Sequence, residues 1–200
     1  MGTNKRGKLI VFYGINNLGK TTQGEILLEY LKKNGIAAEY VKYALYDLEP
    51  SGPILSDYLR KGNPYELSAR EFQLTQVINR TQYQPILEQK LNEGTWIIAE
   101  DYTWTGVAWG IGFGVDKSFL EKINSHLLQE DLAILFDGER FMEGVEKVHQ
   151  HEQNNKLTEE VRAIHLGLAV ERKWPIIQSD QSKAVVHQHI LDLVEPLLKE

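Results

Sequence analysis

Short apolar runs alternate along the chain with longer stretches whose apolar residues recur at helical spacing. Residues 8–13, 38–41, 95–99, 132–136 and 175–178 are short, rich in β-branched and aromatic residues, and bounded by Gly, Asp or Pro, so they read as buried strands. Residues 21–34 carry Ile26, Leu27, Tyr30 and Leu31 on one side and read as a helix ended by Gly35. Further helices are predicted at 52–59, 116–130, 139–149, 158–174 and 182–198. Ser68 with Glu71 is a capping box that opens another, running to about residue 83, where Pro85 breaks it or starts the next. Strands alternating with amphipathic helices predict an α/β sandwich around a mostly parallel sheet, whose ligands bind beyond the carboxyl ends of the strands.

The 200 residues predict one domain. No apolar run is long enough to cross a bilayer, and the charged amino terminus leads into no secretory signal, so no membrane partner is expected. The chain has no cysteine, which excludes disulfides, thiolate catalysis and cysteine-based zinc sites and suits a cytoplasmic location. A net charge of −6 argues against a general nucleic-acid binder. His149 with His151 and His187 with His189 are spaced two apart, do not face one another on a helix, and read as solvated rather than metal-binding.

Between the first strand and the first helix lies Gly14-Ile15-Asn16-Asn17-Leu18-Gly19-Lys20-Thr21, which satisfies G-x-x-x-x-G-K-[ST], the P-loop. Its glycines let backbone N–H groups turn inward around phosphate, and the helix terminus adds positive potential. Lys20 reaches the β- and γ-phosphates of a nucleotide, and the Thr21 hydroxyl ligates Mg²⁺. The motif predicts ATP and Mg²⁺ as cofactors without naming the reaction.

Further segments resemble the thymidylate kinase family. The P-loop continues Lys20-Thr21-Thr22-Gln23; Ile78-Asn79-Arg80 stands where the family has "ANR"; Glu100-Asp101-Tyr102 through Trp109 is similar to its "DRY…S…AYQ" segment; and Val161-Arg162 with Leu166-Gly167-Leu168-Ala169 is similar to its "VR…YL.LA" helix. The resemblance implies a three-layer P-loop kinase fold, a five-stranded parallel sheet flanked by helices with a lid at about 147–157. It also implies transfer of the γ-phosphoryl of ATP to dTMP, and a homodimer with surfaces on the 68–83 and 116–128 helices.

Residue by residue, the resemblance places Gly14, Asn17, Leu18, Gly19, Lys20, Thr21 and Thr22 around ATP. Asn16, Lys42, Gln76, Arg80, Tyr102, Thr105 and Trp109 fall on the acceptor side, with Arg80 reading the base. Thr21 and Glu100 fall at the metal, and Lys20, Glu100 and Asp101 at the chemistry. Several positions depart from the family. Gln76 replaces a stacking aromatic. Glu100-Asp101 replaces Asp-Arg, reversing the charge of an arginine that supports phosphate, unless Asp101 instead caps the following helix and faces away. Of the seven arginines only Arg80 occupies an expected pocket position, while Lys147 and Lys156 are the only cations in the 147–156 lid. A deoxynucleoside kinase using Glu100 as base, or a nucleotide-binding protein without activity, are the alternative readings.

Overall fold

A computed structural model describes residues 5–141 and 155–199. Five strands form one parallel sheet in the order β2-β3-β1-β4-β5: β1 (Leu9–Tyr13), β2 (Ala38–Lys42), β3 (Trp96–Glu100), β4 (Leu132–Asp137) and β5 (Ile176–Gln178). Each strand lies within a residue or two of its sequence prediction. The reason is burial: β1 and β3 are covered on both faces along their whole length and read as unbroken apolar runs, whereas the edge strands β2 and β5 are only partly covered.

Among the described residues the sheet is flanked by α1 (Lys20–Lys33), α2 (Ser51–Arg60), α3 (Ala69–Asn92), α4 (Thr103–Gly112), α5 (Lys117–Asn124), α6 (Asn155–Arg172) and α7 (Lys183–Leu198). Together these give the three-layer P-loop kinase fold. The predicted helix at 139–149 and the greater part of the predicted lid fall on 142–154, outside the described residues; Glu139, Arg140 and Phe141 are not helical.

Three elements depart from the sequence reading. First, α3 is continuous through Pro85. The Ser68–Glu71 capping box opens it as expected, Pro85 sits on the exposed side, and buried Leu87 and Leu91 carry the helix onward against the sheet. Second, α4 follows Asp101, where the sequence reading sets no helical range. Its residues Thr103–Gly110 are buried all round, so it has no polar face to reveal a helical period. Its two inner glycines are packing sites: a Cβ on Gly110 would lie 2.8 Å from the Leu120 methyls, and one on Gly106 2.9 Å from the Arg80 guanidinium. Third, α5 stops at Asn124, well short of residue 130.

Helix α6 buries one histidine. His165 is 1% exposed, its Nδ1 lies 2.9 Å from the Val161 carbonyl, and its Nε2 meets no partner among the described residues. Burial pushes its pKa down to about 4; the Val161 carbonyl opposes the fall and the charge of Lys20 adds to it. The folded state therefore holds this ring neutral where the unfolded chain protonates it. Its contribution is intact above the unfolded value of about 6.5 and is lost as pH falls toward 4, a loss of about 3 kcal/mol. Urea unfolding at pH 7 and pH 4.5 should show the wild type losing about 2–3 kcal/mol more than His165→Leu over that interval. Equal losses in both proteins would remove His165 as the cause.

Candidate active site

The P-loop spans the gap between β1 and α1 in a conformation that its residues dictate. Gly14 and Gly19 take positive φ (+128° and +77°), and a Cβ on Gly14 would lie 2.5 Å from the Phe136 carbonyl. Asn17 is also left-handed, at φ 65°, and its carbonyl accepts the Phe141 N–H at 2.8 Å, which ties the loop to the chain leaving β4. Lys20 is 3% exposed; its Nζ donates to the carbonyls of Gly14 (3.1 Å) and Ile15 (2.8 Å).

A cleft of about 360 Å³ opens above the carboxyl ends of β1, β2 and β3. Residues 16–22 form one wall. Lys42 at the end of β2 and Tyr43, Ala44 and Tyr46 after it form another, and Gln76, Thr105 and Trp109 from α3 and α4 close it, with Glu100 and Asp101 at its floor. The structure thus brings most of the predicted site residues into one cavity.

Strand register explains the floor. Glu100 ends β3 directly beside Lys42 of β2, and the two form an ion pair at 2.9 Å. Tyr40, two residues earlier on the same face of β2, donates a short hydrogen bond to the same carboxylate. Thr21 Oγ1 donates to Glu100 Oε2 at 2.8 Å, and Lys42 Nζ lies 3.2 Å from that hydroxyl. Burial pushes the Glu100 carboxyl up, but the charges of Lys20 and Lys42 and its hydrogen bonds outweigh this and hold it below the ordinary carboxylate range. Burial and the neighbouring carboxylate push the Tyr40 phenol well above its usual value, which keeps it a donor.

Asp101 faces inward. Its Oδ1 lies 3.5 Å from Lys20 Nζ and accepts from the Thr105 hydroxyl at 3.3 Å, while Tyr102 occupies the residue before α4. The expectation that Asp101 might cap that helix and point away is therefore corrected. Burial raises its carboxyl above the ordinary value despite the attraction of Lys20, and the charge of Glu100 adds to the rise. The backbone there is left-handed, at φ 60°.

Two further expectations are corrected. Tyr102 is fully buried and forms no wall of the cleft; its ring packs on Tyr43 at 5.0 Å and its carbonyl accepts from Arg80. Arg80 is 3% exposed and is not among the residues that line the cleft; its Nη2 donates to Gln76 Oε1 at 2.9 Å, and its Nε and Nη1 have no partner among the described residues. Conversely, Arg60 at the end of α2 does line the cleft, its guanidinium carbon 4.3 Å from the centre of the Tyr46 ring. No local motif marks Arg60, since it reaches the cleft only through the packing of α2 on α3. Asn79 is likewise more than part of a motif: its side chain accepts from the Leu45 N–H (2.9 Å) and donates to the Leu45 carbonyl (3.0 Å), clamping the loop after β2. Of the lid lysines, Lys147 lies outside the described residues and Lys156 is exposed, 4.0 Å from Glu160. Among the described residues no three histidine or carboxylate groups gather as a metal cluster.

The thymidylate kinase family model matches residues 12–190. The chain is 29% identical to thymidylate kinase of Arabidopsis thaliana over 98% of its own length and 73% of that protein's. It is 27% identical to the human thymidylate kinase, over 98% and 93% of the two chains. With the Plasmodium falciparum thymidylate kinase it shares 30% identity over 64% of this chain and 60% of that one. Its fold resembles the Candida albicans thymidylate kinase structure with a TM-score of 0.79 at 21% identity, covering 96% of this chain and 92% of that one. The Ehrlichia chaffeensis thymidylate kinase structure gives 0.74 at 17% identity, over 94% and 99% of the two chains.

The hold of Tyr40 on Glu100 depends on Gly24, because a Cβ there would lie 2.4 Å from Cε2 of the Tyr40 ring. Tyr40→Phe should cost about 1–2 kcal/mol in denaturant unfolding, and Gly24→Ala about 1–3 kcal/mol. The double variant should lose less than the sum, since alanine at 24 already displaces the ring that carries the hydroxyl. Simple additivity would show that the two positions do not share this contact.

Proposed function

The chain belongs to the thymidylate kinase family, and from that premise we propose that it transfers the γ-phosphoryl group of ATP to dTMP, giving dTDP. The observation that carries the proposal is that an intact P-loop and the side chains of Gln76, Thr105 and Trp109 line the same cleft. The P-loop N–H groups and Lys20 would hold the donor phosphates. Thr21 Oγ1 and the Glu100 carboxylate are hard oxygen donors 2.8 Å apart, a set that suits Mg²⁺. When bound, Mg²⁺ would offset phosphate charge. Lys42 and Arg60, flanking Tyr46, are the cations best placed for the acceptor phosphate, and Asn16 faces the sugar side. We assign residues 1–200 to one kinase domain acting in the cytoplasm; no described helix is long and apolar enough to cross a membrane.

Asp101 works against the chemistry. Phosphoryl transfer depends on positioning and on stabilising negative charge. An acid 3.5 Å from Lys20 competes for the cation that the transferring group needs; the bare attraction at that distance is about 5 kcal/mol at an effective dielectric of 20. A product-resolved assay of Mg-ATP with dTMP, thymidine and other nucleotides tests both points. dTDP from dTMP supports the proposal; dTMP from thymidine selects a deoxynucleoside kinase; ATP binding without product selects an inactive nucleotide-binding protein. Asp101→Asn should raise kcat with dTMP about three- to tenfold, well short of the full Coulomb energy because solvent and phosphate screen it. A folded Asp101→Asn protein that loses activity would make Asp101 a working metal-side acid.

We further propose a homodimer formed through α3. Leu74, Ile78 and Ile86 project from it at 39%, 50% and 43% exposure, within about 120° of its circumference. Helix α5 offers no comparable face, since Phe119, Leu120 and Ile123 pack against the core. Light scattering should give twice the chain mass for the wild type at micromolar concentration and the monomer mass for Ile78→Glu.

A further inference from the structure

Lys42 ends β2, and its ammonium meets the two side chains whose oxygens suit Mg²⁺. Its Nζ lies 2.9 Å from Glu100 Oε1 and donates to Thr21 Oγ1 at 3.2 Å. The other Glu100 oxygen is engaged elsewhere, since Oε2 accepts from the Thr21 hydroxyl at 2.8 Å and from Tyr40. A hydroxyl has one proton and two acceptor lone pairs. Thr21 gives that proton to Oε2, so what Oγ1 offers Lys42 is a lone pair. A carboxylate oxygen and a hydroxyl lone pair thus converge on one ammonium, and these are the hard oxygens a divalent cation would use. The two partners differ in freedom. The Lys42 side chain is 53% exposed and that of Glu100 only 4%. The acid is fixed, whereas the lysine sits on a flexible four-carbon stem at the end of an edge strand and can turn away.

We infer that Lys42 is a built-in counter-ion at the metal position, which withdraws when a divalent cation enters with the nucleotide and is then released toward the acceptor phosphate. The inference rests on the Mg-ATP and monophosphate reading above and adds a coupling between the two substrates. An ammonium and a divalent cation cannot share one pair of oxygens, because their like charges repel at contact distance. Glu100 is too deeply buried to stand without a cation, so one must replace the other. Lys42 lines the cleft beside Tyr43, Ala44 and Tyr46, so a turn of its side chain keeps the charge inside the cavity. The coupling is reciprocal: what the monophosphate gains from a bound Mg-nucleotide, the Mg-nucleotide gains from the monophosphate. A nucleoside has no phosphate to receive the lysine and gains nothing.

Calorimetric titration of the full chain with ADP, in Mg²⁺ and in EDTA, tests the displacement without turnover. The readout is the Mg²⁺ gain, the ratio of the two ADP dissociation constants, which a merely structural defect would leave unmoved. Lys42→Met removes the competing charge and should enlarge the gain about 5- to 50-fold. Lys42→Gln keeps a donor for Glu100 without the charge, should act likewise, and serves if Lys42→Met does not fold. Lys42→Arg keeps the charge and should stay near wild type. An unchanged or smaller gain in the folded Met and Gln variants overturns the inference, as does an absence of ADP binding. The release is read with dTMP and thymidine. Mg-ADP should tighten dTMP binding about three- to tenfold in wild type and not in Lys42→Gln, and should leave thymidine binding as it was. A wild-type dTMP affinity indifferent to Mg-ADP overturns the release. If dTMP binds under no condition, the monophosphate reading fails and the release fails with it, while the Mg²⁺ gain still decides whether Lys42 holds the metal position.

Discussion

The buried carboxylate of Glu100 is the constraint on which the rest of the cleft depends. At 3% exposure it could not remain ionised without partners, because an isolated charge in a protein interior is far too costly. It has three: the Lys42 ammonium, the Tyr40 hydroxyl and the Thr21 hydroxyl. Two come from the neighbouring strand and one from the helix that follows the phosphate loop. Satisfying one side chain therefore fixes the spacing between β2, β3 and the start of α1. The parallel register makes this possible, since it sets Lys42 directly beside Glu100 at the strand ends where the cleft opens.

That arrangement commits the site's cations. Lys42 is shared with Glu100 and Lys20 with Asp101, so neither lysine offers an undivided charge to phosphate. An acid in place of the family's arginine is not a neutral loss, since it draws on the lysine that the phosphate loop supplies. Arg60 reaches the cleft from α2, its guanidinium over the Tyr46 ring. A planar guanidinium can grip a phosphate with two hydrogen bonds, which a lysine cannot do. Positive charge at the cleft thus comes from the end of α2 as well as from the phosphate loop and the end of β2.

The legible part of this molecule is the part in which local sequence and local structure coincide. The strands show as apolar runs because they are buried on both faces, and the phosphate loop shows because its glycines and lysine must follow one another in the chain. The capping box at Ser68 was visible for the same reason. What stayed hidden depends on packing between distant segments. Helix α4 is buried on every side and so shows no period. Pro85 reads as a stop, yet buried leucines beyond it hold α3 together. The direction of Asp101 is set by Lys20, eighty-one residues earlier in sequence, and Arg60 enters the cleft only because α2 lies against α3.

Helix α3 joins these strands of argument. Its buried side carries Gln76, Asn79 and Arg80 within little more than one turn. Asn79 clamps the loop after β2, and Arg80 sets the amide at the cavity wall. A motif that reads in sequence as one functional arginine is therefore a three-residue device, with one side chain at the cleft and two behind it. The Arg80 guanidinium is 3% exposed; its Nη2 donates to the Gln76 amide oxygen and the Tyr102 carbonyl, and its Nε and Nη1 have no partner among the described residues. Burying an arginine to orient a glutamine costs desolvation that direct contact would avoid. In return the amide oxygen of Gln76 is held toward a group that has donors and no acceptor.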